Sequence, residues 1–228
     1  TENVYGILDD LAPKAVEKAK IEAAAIQKVI NDSGESFELK PWDWAFYAEK
    51  VRAEKYDLDP ALVKPYFEMS SVINDGLFFA MNKLYGITFK ERQDLPVYHE
   101  DVTVYEVFNA DGSAIGLFYM DPYAREGKRG GAWMSAYVSQ SGLKGTKPVI
   151  YNAQNIPKPA EGEPTLMTFD EVSTMFHEFG HAAHGLFSDV KYPSLAGTAT
   201  ARDFVEFPSQ AHEDWMIEPS VLANYAKH

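Results

Sequence analysis

The chain contains no cysteine. Disulfides and thiolate metal sites are therefore excluded, and nothing in the cysteine usage argues for secretion. Positive charge is also scarce: 21 Lys plus Arg stand against 34 Asp plus Glu, for a formal net charge of −13. Such a surface repels nucleic acid and anionic membranes, so neither is expected as a partner. No apolar run reaches the roughly 18 residues of a membrane span. The opening residues, TENVYGILDD, have neither a basic region nor an apolar core and do not read as a signal peptide. A cytoplasmic protein is the expectation.

What is present points to a packed chain. Of the 228 residues, 46% are hydrophobic, and 14 Phe, 13 Tyr and 4 Trp exceed what a disordered chain carries. The length suits one large domain or two small ones. The first part reads as helices. Residues 9–31 are rich in Ala, Glu, Lys and Ile, with Asp9 or Asp10 as candidate caps, Pro13 in the first turn and Gly34 beyond the end. Trp44, Tyr47, Ala48 and Val51 recur at helical spacing. Asp59-Pro60 starts a third helix. A fourth is expected from about residue 71 to Tyr85, closed by Gly86.

After Gly86 the texture changes. Residues 102–108 are β-branched and aromatic, Asp111-Gly112 turns the chain, and residues 114–120 run back, which predicts a hairpin. Residues 132–139 and 149–154 are further strand candidates, separated from the hairpin by a polar loop at 125–131. The expected architecture is α+β, mostly helical with a small sheet, divided as a helical segment at 1–86 and a sheet with further helices at 87–228.

One motif carries chemistry. Residues 177–181 read HEFGH. The run TFDE at 168–171 has capping-box form, and Val172, Met175, Phe176, Phe179, Ala183 and Phe187 follow at helical intervals, so the motif lies on a helix. Spacing i, i+4 stacks the imidazoles of His177 and His181 on one face, where they can share one ion. Glu178 is turned about 100° from His177, able to reach a water without ligating the metal. H-E-x-x-H on a helix is a zinc metallopeptidase signature. Zinc needs a third protein ligand and an open fourth position. Asp189, Asp203, Glu206, Glu213, Asp214 and Glu218 are the downstream candidates. Asp189 is too close to the end of the same helix to fold back. Glu206 stands among Phe204, Val205 and Phe207, where a buried carboxylate would need a cation.

Other residues invite weaker readings. His184 shares the face of His181 and suits packing or support of a ligand. His99 and His212 read as ordinary surface or core residues. Asp203, Ser209, Gln210 and Glu213 are candidates to orient the imidazoles. Gly131 and Ala132 are candidate substrate-binding residues, because glycines there let a peptide backbone approach an edge strand; a tight turn entering a strand is the alternative. Lys128 and Arg129 are either solvated loop charges or a site for a peptide carboxylate.

At this point a family resemblance is legible. TMFHEFGH at 174–181, SLAGT at 194–198 and RDFVEFPSQ at 202–210 closely resemble the thimet oligopeptidase family of zinc peptidases, with the best match to its bacterial peptidyl-dipeptidase branch. PWDWAFYAEK at 41–50, YGITFKER at 85–92 and KRGGAWM at 128–134 support the same resemblance. It implies a zincin-like fold, one Zn2+ per site held by His177, His181 and Glu206, and Glu178 as the catalytic base. It implies hydrolysis of short peptides within a narrow channel. Release of C-terminal dipeptides is favoured, with oligopeptidase A-like internal cleavage as the alternative specificity. Ala-Thr-Ala at 199–201, where the family commonly starts with Asn, and His212, where Asn is common, depart from the pattern. Family chains are much longer, so the expectation is a central catalytic segment. It would lack the Tyr and His that the family supplies to the developing oxyanion and would bind zinc better than it turns over. A zinc-binding but inactive chain, self-association and a complementing chain segment stay open.

Overall fold

The computed structural model describes residues 1–56 and 59–228. These form two compact units, Thr1–Asp59 and Pro60–His228. The expected boundary at Gly86 marks where the strands begin. Contacts divide the chain earlier, because the helical residues just before Gly86 supply Val72, Leu77, Ala80 and Met81 to the same core as the strands.

The first unit pairs two helices, α1 (Glu2–Asp32) and α2 (Trp44–Tyr56). Helix α1 starts a full two turns before Asp9, and Pro13 lies inside it rather than in its first turn. Proline costs a helix one hydrogen bond, and here the long run of good formers around it carries the helix through. Gln27 secures the return of the chain: its Nε2 donates to Phe37 O at 3.0 Å and its Oε1 accepts from Leu39 N at 2.8 Å. Only the C-terminal end of α1 is buried, at Ile26 and Ile30.

The second unit begins with α3 (Pro60–Val63) and a short 3₁₀ turn. A continuous helical stretch then runs through α4 (Met69–Ser71), a π-helical segment (Val72–Phe78) and α5 (Phe79–Tyr85). Glu68 caps its start by accepting from Ser71 N, and Gly86, at φ 72°, ends it in the left-handed conformation that glycine adopts without a Cβ penalty. The widened turn has no signature in the periodicity. It coincides with Gly76, where an added Cβ would lie 2.9 Å from the Tyr225 ring.

Five strands follow: β1 (Thr88–Glu91), β2 (Thr103–Phe108), β3 (Ala114–Tyr123), β4 (Trp133–Val138) and β5 (Val149–Ile156). They form one sheet in the order β1-β2-β3-β5-β4. The hairpin expected around Asp111-Gly112 is β2–β3, antiparallel. Strand β5 pairs parallel with β3 and antiparallel with β4, which leaves β4 on the edge. The other helices are α6 (Phe169–Leu186), α7 (Glu206–Ile217) and α8 (Pro219–Tyr225). The architecture is α+β. Helix α6 lies against the sheet, with Phe176, Phe179, Ala182, Ala183 and Leu186 in one core with Val107, Phe118 and Ile150. Gly185 permits this approach, since a Cβ there would fall 2.7 Å from Met134 and 2.8 Å from Ile150.

Candidate metal centre

The capping box reads in space as it does in sequence. Thr168 Oγ1 accepts from Glu171 N at 3.2 Å, and Thr168 N donates to Glu171 Oε2 at 2.7 Å. Two donors that the first turn would leave unsatisfied are thereby paired. The helix they start carries His177 and His181 one turn apart, with ring centroids 4.9 Å apart and planes at 85°.

Helix α7 brings the third group. Glu206 Oε2 lies 3.2 Å from His177 Nε2 and 3.1 Å from His181 Nε2. One ligand atom from each of His177, His181 and Glu206 falls within 4.8 Å of the others. Two donors bonded to one tetrahedral zinc at 2.0–2.1 Å stand about 3.3 Å apart, so the spacing fits that ion. The approach of α7 depends on Gly180 inside the motif. A Cβ there would sit 2.6 Å from Ser209 Cα and 3.1 Å from His212 Cβ.

Glu206 does not have the apolar surroundings that its neighbours in sequence suggest. It is not embedded among apolar side chains: its side chain is 52% exposed, and Phe204 and Phe207 are exposed as well. Its carboxyl lies below the usual range, held there by the Ser209 hydroxyl, which donates at 2.8 Å, and then by the two imidazoles. Glu206 stands beside both imidazoles, but in an exposed rather than an apolar setting.

Support for the imidazoles comes from Glu213 Oε1, 2.6 Å from His177 Nδ1. With the proton on Nδ1 facing that carboxylate, Nε2 keeps its lone pair toward the cluster. Burial lowers the His181 pKa, which favours the neutral, ligating form. His181 Nδ1 is buried without a hydrogen-bond partner among the described residues. Asp203 and Gln210 are exposed. His184 stays outside the cluster, its Nδ1 also buried and unpaired, with Phe204 against its ring. His212 is a core residue: Nδ1 donates to Pro208 O at 2.6 Å, and Nε2 lies 3.3 Å from the Tyr85 hydroxyl.

Glu178 differs from the other carboxylates. It is 7% exposed, and its Oε2 has no hydrogen-bond partner among the described residues. Burial raises its pKa to about 7, against the opposing pull of His177. A carboxyl poised there can take up and release a proton near neutrality.

Openings on both sides of the cluster are lined by Ala132, one with Ser173, Thr174 and Glu213, the other with Trp133, Met134, Thr198 and Val205. Gly131 precedes Ala132 at φ 87°. Lys128 is neither a solvated charge nor free to meet a peptide carboxylate. Its side chain is 4% exposed and is taken up by Asp121 and Tyr123. Arg129 stays at the surface, 5.8 Å over the Trp133 ring. Asp121, Asn155 and Tyr85 are neighbours that sequence reasoning missed. Tyr85 and Asn155 act through partners distant in the chain, whereas Asp121 pairs with Arg125 and Lys128, four and seven residues on, at a spacing that marks no motif.

The model of peptidase family M3 matches residues 1–228. The dipeptidyl carboxypeptidase of Escherichia coli K12 is 53% identical over 227 residues, covering 100% of this chain and 33% of that protein. Oligopeptidase A of the same organism is 39% identical over 231 residues, covering 100% of this chain and 34% of its own length. A thimet-like oligopeptidase of Dictyostelium discoideum is 39% identical over 189 residues, covering 80% of this chain and 28% of that protein. The chain thus spans about a third of the length of the first two. The motifs that suggested the thimet oligopeptidase resemblance lie within one continuous match, and the chain belongs to peptidase family M3.

Proposed function

We propose that this chain carries the zinc centre of a zincin-like peptidase that hydrolyses short peptides and releases C-terminal dipeptides. The convergence of His177 Nε2 and His181 Nε2 on Glu206 Oε2, with the buried Glu178 carboxyl beside them, its Oε2 without a partner among the described residues, is the observation behind this reading. The donor set, two neutral imidazoles and a carboxylate, suits zinc in a site with one open position. Bound there, Zn2+ would supply Lewis acidity, polarising a carbonyl and acidifying a water to a pKa of about 7. Glu178 accepts the proton of the attacking water and returns it to the leaving amine. Glu213 holds the His177 tautomer. Ser209 holds Glu206.

The substrate chain lies along β4, whose outer edge pairs with no other strand among the described residues, entering past Gly131 and Ala132. Dipeptide release is preferred to internal cleavage because similarity is greater to the dipeptidyl carboxypeptidase than to oligopeptidase A. A cytoplasmic location belongs to the same proposal; no helix among the described residues is long and apolar enough to cross a membrane. A second reading, a chain that acts only with a copy of itself or a complementing segment, is favoured by α1. There Val4, Tyr5, Ile7, Leu8 and Leu11 are each more than half exposed.

Zinc analysis of protein loaded and then desalted tests the core claim. One zinc per chain is expected, and near zero in His177→Ala; equal contents would end the zinc reading. Product analysis on a blocked pentapeptide should show loss of the C-terminal dipeptide first. Activity that arises only at high protein concentration or on adding a complementary segment would support the second reading instead. Glu213→Gln should weaken zinc binding by about 10- to 100-fold, as loss of an imidazole's hydrogen-bonded carboxylate does elsewhere. Chelator competition reads this directly, and an unchanged affinity would remove Glu213 from the site.

A further inference from the structure

The loop at residues 124–132 leads into β4 beside the candidate metal centre, and it is held from two sides. On the inner side stands Lys128. An ammonium carries three donors, and here each finds an oxygen: Asp121 O at 2.8 Å, Asp121 Oδ1 at 3.0 Å and Tyr123 O at 2.7 Å. A buried cation is costly unless paired. Asp121, only 2% exposed, supplies the counter-charge and stays ionised. Burial pushes its carboxyl up, but hydrogen bonds from Arg125 and Lys128 hold it below the usual value. Arg125 grips both its oxygens, at 2.5 and 2.7 Å, and the Tyr98 hydroxyl donates to Oδ2 at 3.0 Å. Asp121 and Tyr123 belong to β3, so these bonds tie the loop to the middle of the sheet.

On the other side stands Asn155 of β5. Its side-chain Nδ2 donates twice, to Arg129 O and to Gly131 O, each at 2.7 Å. The left-handed Gly127 and Gly131 allow the turns between these anchor points. Strand pairing then takes over at once, Trp133 opposite Ala153. None of these anchoring side chains belongs to the His177, His181 and Glu206 group. What they share is control of where Gly131 and Ala132 lie.

We propose that Lys128 with Asp121, and Asn155 from the opposite side, are positioning residues. Together they clamp the backbone of Gly131 and Ala132 in the conformation that receives an extended peptide. The inference rests on the peptide reading above. It adds a specific assignment: substrate affinity depends on a clamp remote from the metal ligands, because a preformed loop spares the ordering cost of binding.

The test uses zinc-loaded Glu178→Gln protein, so that peptide is bound but not cleaved. Two probes are titrated by tryptophan fluorescence or calorimetry: an N-acetylated tetrapeptide with a free carboxylate, and acetohydroxamate, which ligates zinc without reaching the loop. Adding Asn155→Ala should raise the tetrapeptide Kd about tenfold and leave that of acetohydroxamate within about twofold. Lys128→Met should act in the same direction. Both should speed hydrogen exchange at the amides of residues 129–133 while zinc stoichiometry holds. Tetrapeptide affinity unchanged by Asn155→Ala would overturn the clamp. So would equal weakening of both probes, which would mark general damage to the fold. Parent protein that binds acetohydroxamate but no tetrapeptide would sink the peptide reading itself, and the clamp with it, a result distinct from a parent and variants that all bind both.

Discussion

Replacing Glu178 by glutamine is expected to slow peptide hydrolysis by about 100- to 10,000-fold while the zinc content stays at the parent level. The amide preserves shape and hydrogen-bonding capacity but cannot accept a proton from water. Glu178 is not among the three groups that converge, so the metal site loses no donor. Single-turnover cleavage of a short fluorogenic peptide measures the first effect and metal analysis the second. Cleavage retained within a fewfold of the parent would remove Glu178 from the proton-transfer role.

The same substitution has a second readout that needs no activity. In the metal-free protein, the Glu178 pKa is raised from 4.5 to about 7 by burial. The native state therefore holds this proton more tightly than the unfolded chain does. Its contribution to stability is fully present below about pH 4.5 and is lost as pH rises through about 7. Glutamine has no proton to lose. The melting temperature of Glu178→Gln relative to the parent should therefore climb between these two pH values and level off above. A difference independent of pH would show that the carboxyl titrates normally. A group that lowers stability when charged, at a place where charge is needed, fits a catalytic role better than a structural one.

Gly180→Ala is the second large effect. The added methyl would stand 2.6 Å from Ser209 Cα, a backbone atom that cannot rotate aside. Helix α7 must shift, and α7 carries both Glu206 and Glu213. Overpacking of this kind costs about 1–3 kcal/mol in stability. The displaced carboxylates should lower zinc affinity by about 10- to 100-fold. Thermal unfolding of metal-free protein and chelator competition separate the two consequences. If zinc affinity stays at the parent value while stability falls, the α6–α7 crossing does not govern the placement of Glu206.

Much of the candidate site is legible in the amino-acid sequence alone, and the legible part shares one property: it is local. Helix geometry alone places His177 and His181 on one face and turns Glu178 away. Thr168 and Glu171 start that helix from four consecutive residues. Asp111-Gly112 sets the β2–β3 hairpin for the same reason. Glu206 is a different case. The family resemblance points to it, whereas the apolar neighbours that also argue for it face solvent. Lys128 shows the opposite error: a charge in a glycine-rich loop reads as solvated, yet its partners Asp121 and Tyr123 bury it. Those partners are only seven and five residues away, but burial of the group follows from packing and leaves no periodic or spacing signal.

By itself, then, the sequence determined the helix that presents two imidazoles and a carboxyl, the hairpin, the α+β character and the family. Only the tertiary structure decided that Glu206 Oε2 stands 3.2 and 3.1 Å from the two imidazoles, that Glu213 meets His177 Nδ1, and how the loop before β4 is anchored. The physical reason is one of range. Helical and turn geometry act over four or five residues and can be counted along the chain. The crossing at Gly180, the parallel pairing of β3 with β5 and the grip of Asn155 on Arg129 and Gly131 are steric and hydrogen-bonding fits between segments far apart in sequence. They come into being only when the chain packs.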